Sequence, residues 1–267
     1  MTDQAAQLRV GSGRVPEGLP QLPAIAVTGG KGGVGKTCIA VHLAVQLAQL
    51  GVKPLLVDLD LGLANADVLL GVAPQATLAE VVLDAARIES VITSTTWGVD
   101  LAPAASGREE MARLGSDQLR RLFHNLAGLA PRYDLLVLDT AAGIGREVLS
   151  ALRCARAALV VTTPDPAAIA DAYALVKVVE AQDPGRDLRL VINQAGSADE
   201  GMRTAGRLRQ VAAQFLKRDL ACAAYIPSDP KLADAVRRRR LLTETTSPAG
   251  QALRALAQKV KGERWRT

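Results

Sequence analysis

Residues 29–37 read Gly29-Gly30-Lys31-Gly32-Gly33-Val34-Gly35-Lys36-Thr37. Gly30, Gly35, Lys36 and Thr37 satisfy the spacing G-x-x-x-x-G-K-[ST], in which glycines let successive backbone N–H groups turn inward around phosphate oxygens. The flanking sequence has the order this motif requires. The apolar run Ala24 to Thr28 reads as a buried strand, and Thr37 to Leu50 carries apolar residues at helical spacing until Gly51 ends the helix. A strand, a glycine loop and a helix N-terminus together concentrate positive potential on a bound anion. Lys36 is placed to neutralise phosphate charge, and Thr37 to offer its hydroxyl to Mg²⁺. A glycine turn that merely packs a helix on a strand would leave the Lys36-Thr37 pair unexplained. The stretch expected to bind the cofactor runs from Gly30 through Lys31, Gly32, Gly33, Val34, Gly35, Lys36 and Thr37 to Cys38.

The same alternation continues downstream. Strands are expected at Pro54 to Val57, Leu135 to Leu138, Ala158 to Thr162, Leu188 to Ile192 and Ala223 to Ile226, with a weaker one near Val99 to Ala102. Helical patterns fall between most of them, which is the signature of βαβ units. The expected fold is therefore α/β, a doubly wound and mostly parallel sheet with helices on both faces, whose ligands sit beyond the carboxyl ends of the strands. Asp58 and Asp60 follow the second strand, and Asp139 follows Leu135 to Leu138. Carboxylates at two strand ends can face one crevice, organise Mg²⁺ with its waters and orient an attacking water. One Asp after a strand is ordinarily a turn or cap residue. Three of them around a phosphate loop point to chemistry.

Composition narrows the rest. The chain has 267 residues, 49% hydrophobic and only 3% aromatic, which suits one domain with an aliphatic core between helical layers. Cys38, Cys154 and Cys222 are odd in number and lack CxxC spacing or a His cluster, so neither a disulfide framework nor a thiolate metal site is expected. No apolar run approaches the ~18 residues of a membrane span, and no signal-like segment opens the chain, so a cytoplasmic protein is expected. The net charge of +5 favours anionic partners without choosing among DNA, lipid and acidic protein. Its densest cluster, Arg237 to Arg240, reads either as a solvated helix end or as a binding patch. Residues 1–22 hold a polar segment and then a stretch rich in glycine and proline, expected as a flexible arm outside a domain at 23–267.

With its extra lysine, the stretch Gly29 to Thr37 resembles the deviant Walker A loop of the MinD/ParA ATPases. The resemblance implies a SIMIBI-type P-loop fold, ATP and ADP as ligands with Mg²⁺, and regulatory ATP hydrolysis. It further implies that Lys31 reaches across an ATP-dependent sandwich homodimer to the partner's nucleotide. A cation supplied by a second subunit makes hydrolysis depend on association. By the same resemblance Asp60 positions the attacking water, Asp58 supports the metal site and Asp139 is the Walker B acid. Lys31, Lys36 and Asp60 are then the expected catalytic residues, and Thr37, Asp58 and Asp139 the expected metal site. Asn193, Pro227 and Asp229 stand where the family contacts adenine.

Three more stretches resemble the flagellar number regulators of that family, known as FlhG or FleN. They are Asp58-Leu59-Asp60-Leu61-Gly62-Leu63-Ala64-Asn65-Ala66-Asp67-Val68-Leu69-Leu70-Gly71, then Thr162-Thr163-Pro164-Asp165-Pro166 with Asp171-Ala172-Tyr173-Ala174-Leu175, and Asp3-Gln4-Ala5-Ala6-Gln7-Leu8-Arg9. This resemblance implies control of flagellar number and placement, with an FlhF-type SRP GTPase, flagellar switch-complex proteins and a transcriptional regulator as partners. No specific nucleic acid is implied. The N-terminal element matches a DQAxxLR activator helix in which Gln4 and Leu8 share one face, Leu8 to anchor and Gln4 to enter the partner's site. A division-site or DNA-partitioning ATPase of the same fold is the competing reading, and a nucleotide-gated scaffold without turnover is a third. Ala141 stands where the family pattern has Gly. From about residue 248 a last helix is expected, with Leu253, Leu256, Ala257 and Val260 on one face and Arg254, Lys259, Lys261 and Arg264 around it. It reads either as a weak membrane contact or as a helix packed on the domain with a basic tail.

Overall fold

The computed structural model describes residues 15–61, 65–105, 114–242 and 246–263. In chain order the elements are β1 (Ala24–Thr28), α1 (Lys36–Gln49), β2 (Pro54–Leu59), α2 (Ala66–Leu70), α3 (Leu78–Val82), α4 (Ile88–Val91), β3 (Thr93–Ser94) and β4 (Asp100–Ala102). There follow α5 (Ser116–Leu129), β5 (Leu135–Thr140), α6 (Arg146–Cys154), β6 (Ala157–Thr162), α7 (Pro166–Gln182), β7 (Asp187–Ala195), α8 (Ala198–Leu216), β8 (Ala221–Pro227), α9 (Pro230–Arg237) and α10 (Pro248–Lys261). The strands form one eight-stranded sheet in the order β3-β4-β2-β5-β1-β6-β7-β8. Every pairing is parallel except β3 with β4. The doubly wound α/β fold expected from the sequence is the fold observed.

The central strands β1, β2, β5 and β6 are buried along their whole length, as continuous Val, Leu, Ile and Ala runs require when helices cover both faces of a sheet. Four strands, β2, β5, β7 and β8, run further than the sequence suggests, so that Asn193 lies within β7 instead of ending it. Asp is depleted in strands, yet pairing continues through Asp58 opposite Asp139 and Leu59 opposite Thr140. Asp139 is also in register with Val27 of β1. The ladder thus carries two carboxylates side by side to the carboxyl edge of the sheet. The two-residue β3 was missed, being too short to show a period.

The N-terminal segment departs from expectation. Gln4 and Leu8 lie outside the described residues, but residues 15–22 pack on the domain instead of standing apart from it. Val15 and Leu19 lie against the core, Leu22 is buried within it, and the Leu22 N–H donates to the Cys154 carbonyl at 2.8 Å. Residues 15–22 therefore belong to the domain. At the other end, Leu253, Leu256, Ala257 and Val260 are buried, with α10 laid on α1 and β8. Lys259 donates to the Ala223 carbonyl on the β8 edge at 2.8 Å, and Lys261 to the Leu50 carbonyl beyond α1 at 2.6 Å. Of the two readings of this helix, the packed one holds: the face that would enter a membrane is spent on the core. Among the described residues no helix is long and apolar enough to cross a membrane.

Candidate functional site

The loop between β1 and α1 opens onto a cavity of about 430 Å³ at the carboxyl ends of β2 and β5, a size within the ordinary range for ligand pockets. Gly32, Gly33, Gly35, Lys36, Thr37, Cys38, Asp60, Asn65, Ala141 and Ala142 line it. Gly33 and Gly35 hold φ of 78° and 95°, a left-handed backbone that favours glycine. A side chain at Gly30 would collide with the carbonyl of Asp171 on α7, whereas one at Gly32 would meet only open space. The first glycine of the motif thus serves the packing of α7 on the loop. Gly32 leaves a cradle that a Cβ would begin to fill.

Lys36 is only 7% exposed. Burial pulls its pKa down, and the carboxylates of Asp139 and Asp60 pull it back up. Asp139 is fully buried, and neither of its oxygens has a hydrogen-bond partner within bonding geometry. Burial first, then the neighbouring Asp58, pushes its pKa well above the carboxylate range, while the facing Thr37 hydroxyl and Lys36 act the other way. A buried, unsatisfied carboxyl beside a Thr hydroxyl and a lysine fits a bound cation and its waters. Among the described residues no three His, Cys, Asp or Glu side chains are grouped to hold a metal by themselves. A divalent ion here would draw most of its oxygens from phosphate and water, as Mg²⁺ commonly does.

Asp58 has another task in this structure. Its Oδ1 accepts the N–H of Asp60 at 3.0 Å, and its Oδ2 accepts those of Asn65 and Ala66, each at 3.3 Å. Burial lifts its pKa to about 7 against these bonds. The carboxyl thus ties the backbone at Asp60 to that at Asn65 and Ala66, holding Asp60 and Asn65 at the cavity.

The expected adenine contacts are also occupied structurally. Asn193 donates its side-chain amide to the Val34 carbonyl at 2.8 Å, propping the loop from beneath. Asp229 caps α9 through the Lys231 N–H at 2.9 Å and accepts the Ala249 N–H at 3.1 Å, which ties α9 to α10. Pro227 closes β8 opposite Ala195. Neither Pro227 nor Asp229 lines the cavity beside the loop. Cys38 does, but burial pushes its thiol up to about 12, which removes it as a nucleophile.

Lys31 points elsewhere. Its Nζ lies 2.6 Å from Oδ2 of Asp165, the N-cap of α7, and Lys31 is not among the residues lining the cavity. Asn65, Ala141 and Ala142 line the cavity and were missed as site residues. They stand within a few residues of Asp60 or Asp139, so closeness to those carboxylates was the available signal.

Residues 23–187 match the family model described as AAA domain. The chain is 42% identical over 238 residues to the antiactivator FleN of Pseudomonas aeruginosa, covering 88% of this chain and 85% of that protein. It is 34% identical to the flagellum site-determining protein YlxH of Helicobacter pylori, over 82% of this chain and 74% of the relative. The solved septum site-determining protein MinD from Pyrococcus horikoshii, complexed with Mg-ADP, superposes with a TM-score of 0.76 at 27% identity, covering 89% of this chain and 95% of that one. With the two-lysine glycine loop, the strand-end carboxylates and the sheet order all in place, the chain, similar to the antiactivator FleN, belongs to the MinD/ParA family of P-loop ATPases.

Proposed function

We propose that this chain is a magnesium-dependent ATPase that alternates between a monomer and an ATP-held homodimer and so limits flagellar number and placement. The observation that carries the reading is the cavity itself: Lys36 and Thr37 on one wall, Asp60 on another and the unsatisfied Asp139 buried beneath. Mg²⁺ would be held by the Thr37 hydroxyl, phosphate oxygens and waters that Asp139 accepts from, and when bound it neutralises charge on the β and γ phosphates. Lys36 serves the phosphates of its own chain, with Asp139 and Asp60 helping to keep it charged in a buried place. Asp60 holds the attacking water in line. Lys31 of a second copy completes the charge around the transferred phosphoryl group, so that turnover waits for association.

The likeness to FleN and YlxH supports the flagellar assignment. On this reading residues 1–14 act as an arm that presents Gln4 and Leu8 to an FlhF-type SRP GTPase. Flagellar switch-complex proteins and a transcriptional regulator are the other partners, and the location is cytoplasmic. Light scattering on Asp60→Ala with saturating ATP and Mg²⁺ tests the switch: a stable dimer is expected with ATP and a monomer with ADP, and a monomer in both would sink it. A peptide of residues 1–20 tests the arm separately. It should stimulate GTP hydrolysis by the GTPase, and Gln4→Ala should lose that stimulation while keeping much of the binding.

A further inference from the structure

Residues 15–22 run along the amino edge of the sheet. The Gln21 side-chain amide donates to the Arg153 carbonyl at 2.7 Å and the Leu22 N–H to the Cys154 carbonyl at 2.8 Å, both at the end of α6. Val15 lines a cleft with Leu149 and Leu152 of α6 and Val179 of α7, near the helix ends that lead into β6 and β7. The chain then enters β1, which lies between β5 and β6. The cavity beside the phosphate loop opens at the opposite, carboxyl edge, across the roughly 17 Å that the five residues of β1 span. Leu8 stands seven residues before Val15, a length of chain that covers at most about 25 Å. Whatever Leu8 anchors is therefore tethered to the amino edge.

Most cations of that edge are committed to the fold. Arg186 pairs with Asp183 and donates to the Ala155 carbonyl at 2.6 Å, Arg189 pairs with Asp187 and Glu263, and Arg218 lies 3.7 Å from Glu180. Asp134, the carboxylate closest along the chain to Arg132, accepts the Lys53 N–H at 2.9 Å. Among the described residues Arg132, Arg153 and Arg156 form no salt bridge, with Arg132 and Arg153 exposed and Arg156 half-buried. Arg132 precedes β5, Arg156 precedes β6 and Arg153 stands in the last turn of α6, so the three flank the point at which Leu22 leads into β1. Unpaired cations gathered in one place draw in an acidic surface and speed its association. A membrane contact would need an apolar anchor beside them. The exposed large hydrophobic residues among those described, Leu83, Met202, Phe215 and Val236, belong neither to α6 nor to the segments that lead into β5, β1 and β6.

We propose that the amino edge around Arg132, Arg153 and Arg156 is a second docking surface for the GTPase that the arm engages, fitting an acidic face of that protein. This rests on the reading that residues 1–14 present Gln4 and Leu8 to such a partner. The arm tethers and the edge seats, so the second contact is intramolecular and the two together bind more tightly than the arm alone. The surface lies across the sheet from the phosphate loop. A GTPase and a second copy of this chain therefore bind at opposite edges and do not compete.

The test measures binding of the purified SRP-type GTPase to four partners: the full chain, the triple variant Arg132→Glu, Arg153→Glu, Arg156→Glu, the same triple change to Gln, and a peptide of residues 1–20. Thermal melts show that the variants fold. At low salt the full chain should bind at least about tenfold more tightly than the peptide. The Glu variant should fall to the affinity of the peptide, chiefly through slower association, with the Gln variant between. GTP turnover at saturation should be the same with all four. The gap should close near 1 M salt, where screening acts within about 3 Å. Asp60→Ala dimers held by ATP should take up one GTPase per chain. Equal affinity of chain and peptide, or no loss on charge reversal, overturns the docking surface and leaves the arm reading intact, and a dimer that excludes the GTPase overturns its placement. Anionic phosphatidylserine vesicles that bind the parent and not the Glu variant, with GTPase affinity unmoved, overturn the assignment by giving the surface to lipid. Charge-sensitive binding of the chain that the peptide neither stimulates nor competes with overturns the arm and keeps the surface, whereas no binding by chain or peptide overturns both.

Discussion

The side-chain amide of Asn193, near the end of β7, donates to the carbonyl of Val34 at 2.8 Å, joining a late strand to the phosphate loop 159 residues earlier. The bond is buried, and the same amide sits where a side chain on Gly35 would have to go. Truncating Asn193 leaves a buried carbonyl without its donor, at a cost of about 1–3 kcal/mol. Asn193→Ala should lower the denaturation midpoint of nucleotide-free protein and weaken ADP binding by loosening the loop. If affinity falls while stability holds, the residue touches the nucleotide instead, and titration calorimetry beside a urea melt separates the two.

Gly30 and Gly32 both lie in the glycine-rich loop, and their substitution should fail for different reasons. Alanine at Gly30 forces α7 away from the loop through its contact with the Asp171 carbonyl, so loss of folding stability is expected. Alanine at Gly32 meets nothing in the folded chain but intrudes on the cavity it lines. Gly32→Ala should melt close to the parent and bind nucleotide poorly. The same melting temperature for both variants would contradict this division.

What could be read from the sequence was local chemistry. The glycine-rich loop and its lysines stand in nine consecutive residues, and a carboxylate closing an aliphatic run marks the carboxyl edge of a sheet, so the sequence alone singled out Lys36, Thr37, Asp60 and Asp139, which the structure gathers about one loop. The strand continuing through Asp58 was not, because pairing with Asp139 is a property of the ladder and overrides the low strand propensity of Asp. The backbone bonds of Asp58, the reach of Asn193 to Val34 and the pairing of Lys31 with Asp165 are likewise set by tertiary packing. A period of 3.6 in α10 showed an apolar face but not what covers it.

His42 links the loop helix to the last part of the chain. Its Nδ1 lies 2.7 Å from the Cys38 carbonyl and its Nε2 accepts the Leu242 N–H at 3.0 Å, an arrangement satisfied by a neutral ring with the proton on Nδ1. Burial lowers its folded pKa below the ordinary value of about 6.5. The unfolded chain then binds a proton that the folded chain refuses, so the stability from this ring is complete above about pH 6.5 and lost as pH falls through the folded value. The raised carboxyls of Asp58 and Asp139 act in the opposite sense, so the comparison must be between variants. Stability should fall more steeply below about pH 6.5 in the parent than in His42→Gln. Parallel profiles would mean that His42 does not titrate with folding.

Asp139 should show a conflict between stability and activity. A buried carboxyl with both oxygens unsatisfied and Asp58 in register beside it is costly to the nucleotide-free fold. Asp139→Asn removes, at nearly constant shape, a carboxyl that burial forces to give up its charge on folding, and should raise nucleotide-free stability by on the order of 1 kcal/mol. Magnesium-dependent ATP turnover should drop by at least an order of magnitude, because a neutral amide organises the ion's waters poorly. A calorimetric scan and a phosphate-release assay on the same preparation check both halves. A destabilised variant would mean that the carboxyl is held by contacts stronger than those described.

The buried face of α10 makes one substitution serve two questions. Leu256 lies within the cluster that joins α10 to α1 and β8, so Leu256→Ala leaves a cavity worth about 2–5 kcal/mol. If α10 instead left the domain to lie on a membrane, the same change would cost the fold little and would weaken binding to anionic vesicles. Packing against the domain and insertion into lipid compete for the same side chains, and Lys259 and Lys261 are engaged on backbone carbonyls only in the packed state. The expected outcome is a large drop in thermal stability with no change in vesicle co-sedimentation, measured with ADP and with ATP. A wild-type protein that sediments with vesicles only in ATP, and loses this with Leu256→Ala, would show that nucleotide releases the helix.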